Sequence, residues 1–174
     1  QFQRMFFEQN EKLVYENEVE ETEDLVVKKN RIRTIFPGKA TGELVGGNLT
    51  VLTSLAGSPY LPSFKGKILF LEDIGEEPYR IDRMMSTLML MGVFKEIKGF
   101  VFGQCTDCDP SGGYGNLTLN QIFDDYLLPH KIPAFRGSMI GHVPKQFLLP
   151  HGARVNMDAN QGTLTTDQPI FTNP

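Results

Sequence analysis

The sequence predicts an α/β domain, in which a mixed or parallel sheet is flanked by helices and a C-terminal β-hairpin closes the chain. Three observations support this prediction. Continuous apolar runs at 67–73 and 97–104 are typical of strands covered on both faces. Between them apolar residues recur at helical spacing, and the tail at 153–171 alternates in polarity around an Asn-Gln-Gly turn. Strands and helices therefore interleave before antiparallel strands end the fold.

The helix between the two apolar runs has clear signals at both ends. Glu76 and Glu77 place negative charge near its N-terminus, and Pro78 fits its first turn. Gly92 is a suitable C-terminal stop. The apolar face consists of Ile81, Met84, Met85 and Leu88. We interpret this methionine-rich face as core packing.

The other elements follow from the same signals. Residues 38–57 predict a strand, a turn at Gly46–Gly47, and a short helix that Asn48 caps and Gly57 ends. Residues 117–130 predict a helix with Asn116 as its candidate cap. Residues 132–142 predict a further strand, which runs into a loop.

Residues 1–36 differ from the rest of the chain. They are dense in charge, with an acidic stretch at 16–24 and a basic stretch at 28–33. One interpretation is a solvated helix and strand at the edge of a domain, and the other is a connector from a preceding domain. Because the chain begins at Gln1 rather than at a methionine, we expect it to be a piece of a longer protein.

Composition narrows the function classes. A chain of 174 residues, 40% hydrophobic and 22% charged, is typical of one globular domain with a substantial core. A formal net charge of −4 argues against nucleic acid as the main partner, because phosphate binding needs a basic face. No apolar run approaches the length of a membrane-spanning helix, and no secretory signal is visible, so we expect no membrane partner.

The two cysteines, Cys105 and Cys108, form a C-x-x-C motif. Such a pair can be a redox motif or half of a zinc site. No second pair of ligands accompanies it, and the motif follows a strand in a Gly/Asp-rich loop instead of opening a helix. We therefore expect two loop thiols, with no metal and no cofactor.

Of the three histidines, His142 has the most informative position. A strand runs out through Gly141 just before it, so the ring could project into a cleft. His130 follows a helix end, and we interpret it as exposed and inert. His151 could line a cleft, but its neighbours supply no carboxylate. A lone Gly-His pair is usually structural, so a role for His142 requires a partner.

Glu72, at the end of the first apolar strand, could be that partner. Strand alternation points it away from Asp73, and a partly desolvated carboxylate is suited to fix the tautomer of an imidazole. The competing interpretation is a metal cluster made of Asp73, Glu76, Glu77 and Asp82. No histidine lies near these acids in sequence, and Arg80 and Arg83 offer them salt bridges, so the metal interpretation is disfavoured.

In a nucleophilic hydrolase, an imidazole acts as the general base and a carboxylate orients it. The chain offers both groups at loop ends, but no nucleophile is evident. The candidate serines are Ser54, Ser58, Ser63, Ser86 and Ser111. None has the strand–serine–helix turn of hydrolases, and the glycines near Ser111 follow it in the chain. The Gly-rich loop also lacks the Lys-Ser/Thr ending of a phosphate-binding loop, so nucleotide binding is not predicted.

Several segments together resemble the C-terminal domain of the LD-carboxypeptidase family of serine peptidases. This family includes the murein tetrapeptide carboxypeptidases and the microcin C immunity peptidases. The resemblance covers residues 38–168 and lies in GELVGGNLTVLTSLAGSPY, KILFLEDIGEEPYRIDRMM, KGFVFGQ, IPAFRG and GHVPKQFLLPHGARVNMD, in the family's order. Several motifs at compatible spacing are far more specific than any one alone.

The resemblance implies a protein of two domains. Residues 38–174 would be the C-terminal domain, of a swivelling β/β/α type, and residues 1–37 the interdomain connector with edge elements. Glu72 matches the glutamate of the family's catalytic triad, and His142 matches its histidine. The nucleophilic serine would lie in an N-terminal domain that has no counterpart in these 174 residues.

The implied function is hydrolysis of an L,D peptide bond in murein tetrapeptides, in the cytoplasm, with release of a D-amino acid. The implied partners are the murein peptide and the N-terminal domain, and an exposed docking surface would favour self-association, most simply as a homodimer. The alternatives are a peptidyl-nucleotide substrate of the microcin type and a non-catalytic binding domain. Lys145-Gln146 stands where the family commonly has asparagine, and His151 replaces an apolar residue, so the resemblance does not fix the substrate.

Overall fold

A computed structural model describes residues 12–18, 31–109 and 117–170 of the chain. Their strands are β1 (Val14–Tyr15), β2 (Arg33–Phe36), β3 (Lys39–Asn48), β4 (Ile68–Ile74), β5 (Gly99–Thr106), β6 (Ala134–Arg136), β7 (Arg154–Asp158) and β8 (Thr163–Thr166). Their helices are α1 (Leu49–Ser54), α2 (Pro78–Leu90), α3 (Val93–Glu96) and α4 (Leu119–Leu127), with a 3-10 turn at Leu128–His130.

The strands form one mixed sheet in the order β1-β8-β7-β3-β4-β5-β6-β2. β3, β4, β5 and β6 are parallel neighbours, and the remaining pairs are antiparallel. β3 joins the two parts, since its first half pairs with β7 and its second half pairs with β4. The predicted α/β class, with a mixed sheet, helices and a C-terminal hairpin, is confirmed.

Strand alternation divides the core into two layers. On β4, Leu69 and Leu71 face a cluster on the helical side, which includes Ile81, Met85, Phe94, Ile122 and Phe123. Ile68 and Phe70 face the other layer, which includes Leu13, Tyr15, Phe135, Val155 and Leu164. Residues 68–73 are all buried, because both faces of this strand are covered.

α2 begins and ends close to the predicted positions. Glu77 is its N-cap, Pro78 occupies the first turn, and Gly92 takes a left-handed φ of 79° just after its end. Its buried residues are Pro78, Ile81, Met85 and Leu88, which confirms core packing for this face. α4 is capped by Thr118 in a reciprocal pair of bonds with Gln121, so the prediction of Asn116 as its cap is wrong. Asn116 itself lies outside the described residues.

The predicted turn at Gly46–Gly47 is wrong. Both glycines continue β3 and pair with Phe70 and Leu71 of β4. A Cβ on Gly46 would lie 1.7 Å from the backbone oxygen of Phe70. The glycine therefore permits a close approach of two strands, not a reversal of the chain.

Two other predicted elements are partly correct. Asn48 caps α1 as predicted, because its side chain accepts a hydrogen bond from the backbone N–H of Val51. The helix ends at Ser54, before Gly57. The predicted strand at 132–142 is limited to β6, since the chain leaves the sheet at Gly137.

The described parts of residues 1–36 contribute strands to both edges of the sheet. β1 pairs with β8, and β2 pairs with β6. Leu13 and Tyr15 are buried in the core, so this part is not merely solvated. No helix occurs within 12–18 and 31–36, and the rest of that segment lies outside the described residues. None of the helices described for the chain is long and apolar enough to cross a bilayer.

Replacing Gly46 with alanine should destabilise the domain strongly, whereas the same change at Gly47 should cost much less. Both glycines have positive φ, 148° and 143°, so alanine is strained at either position. At Gly47, unlike Gly46, the new Cβ would have no neighbouring atom within 4 Å. We expect the free energy of unfolding to fall by about 1–2 kcal/mol in G47A and by more than about 3 kcal/mol in G46A. Urea unfolding measures both losses, and equal values would contradict this explanation.

Candidate active site

The structure brings Glu72 and His142 together at the carboxyl edge of the parallel strands. Nδ1 of His142 donates a hydrogen bond to Oε2 of Glu72 at 2.9 Å. The side chain of Glu72 is 10% exposed, and that of His142 is 52% exposed. The carboxylate is therefore shielded from water, while the ring remains accessible.

The alternation of β4 determines where its two carboxylates point. Glu72 follows Phe70 on the face away from the helices, and both residues line the same pocket. Asp73 points to the helical side, where its buried carboxylate accepts hydrogen bonds of 2.9–3.0 Å from Asn48, Thr50 and Ile74. Asp73 therefore stabilises the beginning of α1, and Glu72 remains available to the histidine.

The backbone around His142 is held by its neighbours. Gly141 has a φ of 116°, and a Cβ there would lie 2.7 Å from Oε2 of Glu72, so glycine allows the chain to pass this close to the carboxylate. Oγ1 of Thr106 donates to the backbone oxygen of His142 at 2.9 Å. The N–H of Gln104 donates to the backbone oxygen of Ile140 at 2.8 Å. The end of β5 therefore fixes the loop that carries the histidine.

The pair faces a pocket of about 610 Å³. It is lined by Gly47, Phe70, Glu72, Ile140, Gly141, His142, Val143, Pro144, Gln146, Phe147 and Leu149. Because Nδ1 donates to the carboxylate, Nε2 presents its lone pair, and no group among the described residues hydrogen-bonds to it. An imidazole held in this way can accept a proton from a nucleophile.

The sequence also matches a known family over the region that forms this pocket. A family model of the LD-carboxypeptidase C-terminal domain matches residues 41–157, a range that contains Glu72 and His142. The chain belongs to the LD-carboxypeptidase family. The resemblance stated from the sequence motifs is thereby confirmed.

Individual LD-carboxypeptidase relatives support the assignment. The chain is 40% identical over 151 residues to the probable murein peptide carboxypeptidase of Bacillus subtilis (strain 168), covering 87% of this chain and 46% of the relative. It is 30% identical over 148 residues to the microcin C7 self-immunity protein MccF of Escherichia coli, covering 83% of this chain and 42% of that protein.

A solved structure shows the same fold. The crystal structure of muramoyltetrapeptide carboxypeptidase from Oxalobacter formigenes superposes with a TM-score of 0.75 and 26% identity, over 99% of this chain and 54% of that one. The chain thus spans about half the length of the relatives and the structure that it matches.

The other two histidines of this LD-carboxypeptidase domain have different surroundings. His130 is partly buried and packs on Phe94, with ring centroids 5.7 Å apart, so the expectation that it is exposed is wrong. His151 is exposed and lies edge-on to Phe70 at 6.3 Å. Neither forms an ion pair with any residue that the structure describes.

The acids of the competing metal interpretation do not converge. Oε2 of Glu76 pairs with Nη1 of Arg80 at 3.5 Å, and the hydroxyl of Tyr126 donates to Asp82 at 3.0 Å. The carboxylate of Asp73 accepts a hydrogen bond from the backbone N–H of Thr50 at the beginning of α1. Within 12–18, 31–109 and 117–170, no three His, Cys, Asp or Glu side chains are arranged to hold a metal ion.

Cys105 and Cys108 form a disulfide, so the expectation of two loop thiols is wrong. Cys105 belongs to β5, and the disulfide encloses Thr106, whose hydroxyl holds the backbone of His142. The C-x-x-C spacing could not distinguish a disulfide from free thiols. Thr106 is not part of any recognisable sequence motif. It reaches the backbone of His142 because β5 and β6 are adjacent parallel strands, and the sequence does not reveal that adjacency.

The candidate serines do not complete a triad in the described part of the chain. Oγ of Ser54 donates to the backbone of Val51 at the end of α1, and Ser86 lies within α2. Ser111 lies outside the described residues. Ser138, which has no sequence signal, is buried just after β6. None of the described serine hydroxyls hydrogen-bonds to His142.

The two adjacent carboxylates of β4 should differ in their effects on stability. Asp73→Ala should lower the free energy of unfolding by about 2–4 kcal/mol, because it leaves donors at the beginning of α1 without their acceptor. Glu72→Ala should cost about 1 kcal/mol, because it breaks one bond to a half-exposed ring. Urea unfolding of both variants measures the difference. A Glu72 variant as unstable as the Asp73 variant would show that Glu72 is held for the fold and not for the histidine.

Proposed function

We propose that this chain supplies the general base and its orienting carboxylate to a serine LD-carboxypeptidase that cleaves murein tetrapeptides. The observation that carries the proposal is the 2.9 Å hydrogen bond from His142 to Glu72 beside an open pocket, in a chain of this family. Murein as the substrate is supported by relatives such as the probable murein peptide carboxypeptidase of Bacillus subtilis (strain 168).

In the proposed mechanism, a serine hydroxyl attacks the carbonyl carbon of the L,D peptide bond. Nε2 of His142 accepts the hydroxyl proton as the new C–O bond forms, and it delivers that proton to the leaving nitrogen as the C–N bond breaks. A D-amino acid departs and leaves an acyl-serine. Water then attacks the ester through the same base, which returns a proton to the serine. Glu72 fixes the Nδ1–H tautomer and stabilises the imidazolium in both steps.

The nucleophile is proposed to come from a domain outside these 174 residues. Two observations support this. The relatives are about twice as long as the matched region, and Nε2 of His142 has no serine partner among the described residues. The side chain of His142 is half exposed, which leaves room for an incoming hydroxyl. Backbone N–H groups of the same outside domain would stabilise the oxyanion.

A peptidyl-nucleotide substrate is the second candidate, and the likeness to the microcin C7 self-immunity protein MccF favours it. The pocket wall includes Gln146, one of the residues that depart from the common family pattern. Its amide can donate and accept hydrogen bonds, so it is suited to distinguish substrates that differ in polar groups near the scissile bond.

Replacing His142 with alanine in the full-length protein should abolish release of D-alanine from a murein tetrapeptide. We expect kcat/KM to fall by about 10³-fold or more, because the base and its proton transfer are lost. His130→Ala is the matched control, since that histidine packs on Phe94 instead of lining the pocket. The 174-residue chain alone should release none. Release of an amino acid only from a peptidyl-nucleotide would select the second candidate, and full activity of the His142 variant would refute the mechanism.

A further inference from the structure

Residues 13–18, here called the N-terminal strap, cross from the C-terminal hairpin to the loop that carries His142. At one end the strap is hydrogen-bonded to β8. The backbone N–H of Leu13 donates to Oγ1 of Thr166 at 2.8 Å, and the backbone N–H of Thr166 donates to the backbone oxygen of Leu13 at 2.9 Å. Tyr15 pairs with Leu164 in the same ladder. Leu13 and Tyr15 at this end are buried and form part of the core.

At its other end the strap contacts the histidine loop, residues 137–147, through the amide of Asn17. Nδ2 of Asn17 donates to the backbone oxygen of Gly137 at 2.8 Å, and Oδ1 accepts from the N–H of Met139 at 3.0 Å. One side-chain amide thus satisfies an acceptor and a donor of the loop backbone, as a neighbouring strand would. These contacts lie three to five residues before His142.

Two further contacts join the strap to the far end of the same loop. The ring of Tyr15 lies edge-on to Phe147, with centroids 5.6 Å apart, and Phe147 lines the pocket. Glu18 pairs with Lys145 at 3.0 Å, although both side chains are about two-thirds exposed and the pair should contribute little. The strap therefore contacts the loop on both sides of the histidine.

From these contacts we infer that Asn17 is a positioning residue for His142, and this inference rests on the proposed function. The ring must hold Nε2 toward a nucleophile from another domain while Nδ1 stays on Glu72. The hydrogen bond to Glu72 fixes only one point of the ring. The backbone before His142 also needs a fixed path, and Asn17 fixes it by tying residues 137–139 to a strand of the core. Displacement of a catalytic group by about 1 Å is enough to slow a reaction substantially.

Asn17 differs from the other supports of this loop in its origin. Gln104 and Thr106 belong to β5, next to the site, whereas Asn17 comes from the chain segment before β2. Its partners Gly137 and Met139 are 120 and 122 residues away in sequence. Residues before β2 therefore help to hold the loop that carries His142.

The test compares Asn17→Leu with Asn156→Leu in the full-length protein. Asn156 is a matched control, because its amide also makes two side-chain bonds, to Thr41 and Asp167, in the hairpin instead of the histidine loop. We expect kcat for D-alanine release to fall by about tenfold or more in N17L, with KM changed by less than about twofold, because substrate binding is retained and the base is misplaced. We expect N156L to match the wild type.

A second readout does not depend on activity. ¹⁵N spectra of the His142 ring in the full-length protein report which nitrogen carries the proton. We expect one Nδ1–H tautomer in the wild type and in N156L, and a mixture in N17L at a temperature where all three are folded. If the wild-type full-length protein releases no D-alanine, the proposed function fails, and the ring spectra still decide the role of Asn17.

Unchanged kcat in N17L, an increase in KM alone, or an unchanged ring spectrum would each overturn the inference. If N17L does not fold, Asn17→Asp takes its place. It retains an acceptor for the N–H of Met139 and loses the donor to Gly137, so kcat should fall by several-fold, roughly three to ten, at constant KM. Wild-type kcat in that variant would overturn the inference equally.

Discussion

The hydrogen bond from Nδ1 of His142 to Oε2 of Glu72 joins two stretches of chain that lie 70 residues apart, and the site depends on it. It exists because β4 carries Glu72 near its end, on the face away from the helices, and because glycine at 141 lets the loop pass close to that carboxylate. The bond determines which ring nitrogen faces the pocket. The chemical role proposed for the domain follows from that orientation.

β4 carries two neighbouring acids with different contacts: Asp73 stabilises the fold, and Glu72 contacts the histidine of the candidate site. Asp73 points toward the helices, and its buried carboxylate accepts hydrogen bonds from several donors around the beginning of α1, which stabilises that helix. Glu72 points to the opposite side and makes its bond to a half-exposed ring. A shift of one residue in this strand would exchange their directions and remove both functions.

Patterns within short stretches of sequence were enough to predict individual strands and helices. The strand at 67–73 and the helix after Pro78 were evident from continuous burial and from charge and proline at a helix start. Glu72 was a candidate partner of His142 because a partly desolvated carboxylate near the end of an apolar strand suits that role, and the family motifs then matched both residues to one triad. The contact itself spans 70 residues, which no local pattern reveals. The turn predicted at Gly46–Gly47 was wrong because the glycines serve a neighbouring strand instead of a reversal.

Contacts that depend on the assembled fold were missed for the same reason. Asn17 lies in a charged segment without periodicity, and its partners are more than a hundred residues away. The Cys105–Cys108 spacing is shared by disulfides, redox pairs and half zinc sites, so composition alone could not choose among them. For Asn17 the missing information was which segments become neighbours in three dimensions. For the two cysteines, only three residues apart, it was whether the thiols are oxidised.

This domain is proposed to contribute a base to a serine that lies in another domain. Labelling of the full-length protein with a fluorophosphonate, followed by mass-spectrometric location of the modified residue, tests this most directly. We expect the label on a serine outside these 174 residues, with a labelling rate that falls by about a hundredfold or more when His142 is replaced by alanine. A labelled serine within this chain, or a rate that does not depend on His142, would contradict the claim.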